Sequence, residues 1–62
     1  MSKLNDFTKG DIVEYIGDNK DQQGEHTIID IDDTALYLDS MYRNAKYYII
    51  DKYNLEKVKK VN

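Results

Sequence analysis

Asp30, Asp32 and Asp33 bring three carboxylates close together, Asp39 follows on the next apolar run, and the single histidine of the chain, His26, stands just before them. Clustered carboxylates can bind a hard cation or divide the roles of acid and base between them. A calcium loop counted from Asp30 needs glycine at its sixth position and glutamate at its twelfth, and those positions hold Ala35 and Met41. His26 has no cysteine to activate, and Ser2 and Ser40 lack the Gly-x-Ser-x-Gly setting of a nucleophile elbow. Gly10, Gly17 and Gly24 recur at an even spacing that fits neither a phosphate-binding loop nor a dinucleotide fingerprint. The chain therefore reads as non-enzymatic, with no metal and no cofactor. The aspartates read as a solvated acidic face and His26 as an exposed strand residue.

The tyrosines carry the other usable chemistry. Six tyrosines and Phe7 are many for 62 residues, more than a small barrel interior can take in. Tyr48 and one or two others are expected in the core, and the rest on the surface. Tyr42, Tyr47, Tyr48 and Tyr53 alternate with Arg43, Lys46 and Lys52, a mixture used both at protein hot spots and along single-stranded nucleic acid. Two surfaces follow. A protein-binding surface would use Tyr42, Arg43, Tyr47 and Tyr53 together with Asp30, Asp32, Asp33 and Asp39, whose carboxylates could imitate nucleic-acid phosphates and fill a basic groove. The alternative is a nucleic-acid-binding surface made of Tyr47, Tyr48, Lys52, Lys57, Lys59 and Lys60.

Charge favours the first. The net charge is -3, and residues 1–42 carry three lysines against ten acids while residues 43–62 carry six basic residues against two acids. Nucleic-acid binders normally present a broad basic field, because phosphate neutralisation supplies most of their non-specific affinity. Here the polarity reads as two halves that attract each other within the fold. A protein partner is thus expected before a nucleic acid.

A chain of this length makes one domain that buries only about 60% of its unfolded surface, without disulfide or zinc staples. No apolar run is long enough to span a membrane and the N-terminus lacks a signal-peptide core, so a cytoplasmic protein is the default. Residues 1–6 lack periodicity and read as a flexible N-terminus. Strands are expected at 11–16, 25–32, 35–39, 47–50 and 55–58. The loop at 18–24 has no apolar residue and reads as excluded from the core. The three glycines read as positions of positive φ, residues 51–54 as a single helical turn, and 59–62 as a basic tail. Leu55 and Val58, three residues apart, leave a terminal helical turn as a competing reading of 55–58.

The phrases Phe7-x-x-Gly10-Asp11-x-Val13-x-Tyr15-Ile16-Gly17, Gly24-x-x-x-Ile28-Ile29-x-Ile31 and Leu55-Glu56-x-Val58 make residues 7–58 resemble the SH3-like, KOW-like small barrels of short bacterial and phage or prophage proteins. The resemblance implies an all-β, five-stranded barrel with a helical turn before the last strand. It does not imply one function, since such barrels serve many. A phage-type interaction module binding a host or phage protein is the expectation, with homodimerisation through open strand edges as a further one. Ala35-Leu36-Tyr37-Leu38-Asp39 resembles the Ala-Leu-Tyr-Asp-Tyr segment of peptide-binding SH3 domains. It lies in the third strand, however, with no tryptophan in the chain to wall a proline groove.

Overall fold

A computed structural model describes residues 3–40 and 46–61. It is all-β: five antiparallel strands form one sheet in the order β4-β3-β2-β1-β5. The strands are β1 (Ile12–Tyr15), β2 (Gly24–Ile31), β3 (Ala35–Asp39), β4 (Tyr47–Asp51) and β5 (Val58–Lys60), and among the described residues the only helical pieces are the 3-10 turns Leu4–Asp6, Lys20–Gln22 and Leu55–Lys57.

Strand β1 alternates as its sequence demands, with Val13 and Tyr15 buried and Ile12 and Glu14 exposed. The chain enters β1 through a turn closed by Asp11 N–H on the Thr8 carbonyl. Gly10 occupies its third position at φ 95°, where a side chain would be strained. In β2 the alternation breaks. The register moves from Ile28 opposite Leu38 to Asp30 opposite Tyr37, so Ile29 is an extra residue and the strand bulges. Unbroken alternation would aim Asp30 inward beside Ile28. The bulge turns Ile29 and Asp30 outward and returns Ile31 to the core side.

Phe7, Val13, Tyr15, Ile28, Leu36, Leu38, Ile50, Leu55 and Val58 form the core, with Leu4, Ile31 and Tyr48 packed against it. Tyr15 of β1 and Tyr48 of β4 meet edge to face with ring centroids 5.5 Å apart. In a flat sheet these strands would lie about 14 Å apart, so the sheet curls far enough to bring its two ends toward each other.

The structure departs from the sequence expectations at several places. The last strand is Val58–Lys60, not 55–58, because residues 55–57 take a 3-10 turn, which follows a separate turn at 51–54 closed by Asn54 N–H on the Asp51 carbonyl at 3.0 Å. The 3-10 turn suits Leu55 and Val58, since residues three apart eclipse on a 3-10 helix and both side chains reach the core. Lys59 and Lys60 thereby belong to β5, opposite Glu14 and Val13. The loop before β2 is not excluded from the core, because Gln22 is buried. Gly17 has no positive φ. Instead the Tyr15 ring lies over it, and an added Cβ would stand 2.5 Å from the Tyr15 hydroxyl. Leu4 also gives the first residues a packed anchor within the turn Leu4–Asp6. Among the described residues no helix is long and apolar enough to cross a membrane.

Candidate functional site

The outer face of β2, β3 and β4 carries three of the exposed large apolar side chains, Ile29, Tyr47 and Ile49, while Ile12, Ile16, Tyr53 and Val61 lie outside it. Cross-strand registry sets Tyr37 opposite Ile49 and Asp39 opposite Tyr47, while the bulge presents Ile29 and Asp30 on the same side. Ile29 is 37% exposed, Tyr47 46% and Ile49 51%. The rings of Tyr37 and Tyr47 stand perpendicular with centroids 5.2 Å apart. Ile29, Asp30, Asp32, Tyr37 and Tyr47 line a shallow depression of about 420 Å³. A larger hollow of about 660 Å³ lies on the far side of Asp32, between the N-terminal turn and the turn that follows β2. Its Lys3 and Lys9 face Asp32 and Asp33, so its charge is mixed.

The aspartates divide by what their oxygens do. Asp32 builds the β2–β3 turn: one oxygen accepts from Thr34 N–H at 2.8 Å, Thr34 Oγ1 at 2.8 Å and Ala35 N–H at 2.9 Å, while the other accepts the Tyr37 hydroxyl. The Tyr37 hydroxyl and these turn donors hold the Asp32 carboxyl down at about 2, and the same carboxylate pushes the Tyr37 phenol above its ordinary value. Asp51 similarly caps the turn after β4, accepting from Tyr53 N–H and Asn54 Nδ2. Asp39 accepts from Thr27 N–H. Asp30 engages one oxygen, with Ile31 N–H at 2.9 Å. Asp33 is exposed in the same turn.

The structure places Asp30, Asp32, Asp39 and Tyr47 on one face, together with Tyr37, Ile29 and Ile49, which the sequence pattern did not single out. The alternation of β3 could have found Tyr37. Ile29 could not be placed without the bulge. Tyr53 is 80% exposed but sits in the turn after β4, with the Lys52 ammonium 5.3 Å from its ring centre. Tyr42 and Arg43 lie outside the described residues.

The residues considered for nucleic acid are dispersed. Tyr48 points to the core beside Tyr15 and Tyr47 stands among the acids, while Lys59 and Lys60 lie on β5 opposite β1. Lys60 Nζ approaches Asp11 at 3.6 Å. At the basic end of the chain Lys60 thus meets Asp11, just before β1, and Lys59 lies opposite Glu14.

His26 is not an exposed strand residue: it is 2% exposed. Its Nε2 lies 2.6 Å from the Gln22 carbonyl, and its Nδ1 lies 2.7 Å from the Asp39 carbonyl and 3.1 Å from the Asp39 carboxylate. His26 is a structural brace between the Lys20–Gln22 turn and the end of β3. Among the described residues no group of three or more His, Cys, Asp or Glu side chains is arranged to hold a metal ion. Comparison with protein-family models, curated proteins and solved structures returned no match to this chain.

Proposed function

We propose that the chain is a non-enzymatic interaction module that docks a partner protein on the outer face of β2, β3 and β4. The observation that carries this reading is the contiguity of Ile29, Tyr37, Tyr47 and Ile49 on a solvent-facing sheet surface rimmed by Asp30, Asp32 and Asp39. Apolar and aromatic centres with polar rims are the anatomy of protein interfaces, and tyrosine is prominent among hot-spot residues. The rim acids select for a basic partner and speed its approach. Most rim carboxylates already serve turns or backbone N–H groups, so the apolar centre supplies the affinity and the acids supply the selectivity.

The test is comparative capture. Immobilised wild type, Ile29→Ser, Tyr47→Ser and the distant control Lys59→Ser are exposed to the same cell lysate, with folding of each verified by its melt. A partner held by wild type and the control but lost by both outer-face variants supports the reading. Equal capture by all four, or loss confined to Lys59→Ser, overturns it.

A further inference from the structure

We infer that the depression lined by Tyr37 and Tyr47 receives an arginine side chain of the partner protein. This rests on the docking reading above and names what enters the site. The two perpendicular rings form walls, Ile29 adds an apolar surface, and Asp30 and Asp32 supply the carboxylates. Among the described residues no basic side chain lines the hollow. A cation meeting aromatic faces is attracted by their quadrupoles, most strongly where water is displaced. The Asp30 oxygen left over from its bond to Ile31 N–H is available to an incoming N–H donor. One oxygen of Asp32 is filled by Thr34 and Ala35 and the other holds the Tyr37 hydroxyl, so Asp32 contributes mainly charge while the free oxygen of Asp30 contributes the hydrogen bond.

The shape favours arginine over lysine. A planar guanidinium is weakly hydrated, stacks on an aromatic ring and still presents edge N–H groups to a carboxylate, whereas an ammonium is compact and strongly hydrated. An apolar neighbour of that arginine would reach Ile49 on the adjoining strand. A second copy of this chain is a poorer occupant, because its own outer face would bring the same acids against these.

The experiment uses three capped tripeptides, valine-X-valine with X as arginine, lysine or citrulline, titrated into the full chain while the Tyr37 and Tyr47 ring signals are followed by NMR. Citrulline keeps the shape of arginine and removes the charge. The expected result is saturable movement of both rings by the arginine peptide, with affinity at least about tenfold above the citrulline peptide and falling with added salt. Asp30→Asn should lower that affinity while leaving the melt unchanged. Equal affinity for arginine and citrulline peptides overturns the inference and leaves the apolar docking reading standing. Preference for lysine, or ring signals unmoved by any of the peptides, overturns it as well, and partner capture then judges the docking face independently. Concentration-dependent ring shifts without peptide would identify a second copy as the occupant and also overturn it.

Discussion

The Tyr15 and Tyr48 rings meet at 5.5 Å in an edge-to-face contact, although their strands are separated by two others in the sheet. The contact pins the curl that gives so short a chain an interior. Tyr15 is 3% exposed, and truncating a buried aromatic to alanine costs about 3–5 kcal/mol. A core of this size rarely supplies more than about 3–5 kcal/mol in total, so Tyr15→Ala is expected to be unfolded at room temperature, read as loss of amide dispersion by NMR. The hydroxyl pair is long at 3.4 Å. Tyr48→Phe should therefore stay within about 1 kcal/mol of wild type in urea melts.

Asp32 and Tyr37 tie stability to pH at both extremes. The folded Asp32 carboxyl lies at about 2 against an ordinary 3.8. A lowered carboxyl contributes stability above its unfolded value and loses it as pH falls through the folded one. The wild-type advantage over Asp32→Asn should thus be full at neutral pH, shrink below the ordinary carboxyl value and be gone once the pH is under the folded one. Tyr37 is shifted the other way, raised first by its bond to Asp32. Its contribution is present below the ordinary phenol value and is lost as pH climbs through the folded one, so Tyr37→Phe should flatten the alkaline limb. Thermal melts across pH check both.

Gly10 and Gly17 are irreplaceable for different reasons, and substitution separates them. A Cβ on Gly10 meets nothing within 4 Å, but the backbone there is at φ +95°. Gly10→Ala is expected to cost about 1–3 kcal/mol of pure backbone strain, whatever its neighbours. Gly17 has ordinary backbone but lies under the Tyr15 ring, whose Cζ would stand 2.6 Å from an added Cβ. Gly17→Ala should cost a similar amount, about 1–3 kcal/mol, by overpacking. In a Tyr15→Leu background the Gly17→Ala cost should largely vanish and the Gly10→Ala cost should persist, which a double-mutant cycle reads directly.

Four of the strands were legible because apolar alternation and glycine turns are local signals, and the faces of β1 follow its sequence residue by residue. The fifth was displaced because Leu55 and Val58 fit an i, i+3 turn as well as a strand. Lys59-Lys60 reads as a tail until Glu14 is seen opposite Lys59. The acidic half of the site was legible by composition. What each carboxylate does was not, except at Asp32-Asp33-Thr34, where an aspartate two residues before a threonine already has the form of an Asx turn. Ile29 and Tyr37 were missed as a pair because their adjacency depends on one extra residue in β2, which no local pattern announces. His26 was misplaced because its burial depends on the Asp39 carbonyl, which is remote in sequence, and Gln22 is buried beside it with its side-chain oxygen unpartnered among the described residues.

His26 provides the sharpest test of that last point. Its ring reaches the Gln22 carbonyl at 2.6 Å on one side and the Asp39 carbonyl at 2.7 Å on the other. His26→Leu keeps bulk in the core and removes the ring's polar contacts with both carbonyls, at a cost of about 1–3 kcal/mol. If the ring is a brace, the loss has a location. The Lys20–Gln22 turn closes on itself through Gln22 N–H to Asn19 and Gln23 N–H to Lys20, so those two amides should exchange with solvent faster in His26→Leu under mild conditions where the global fold persists. The Thr34 amide, held by Asp32 in the opposite turn at 2.8 Å, should exchange as in wild type. Asp39→Ala removes the carboxylate and leaves the carbonyl, and should free the Thr27 amide while disturbing the Lys20–Gln22 turn less than His26→Leu does. Equal acceleration of all these amides would show instead that His26 contributes only to overall stability, with no turn of its own to hold.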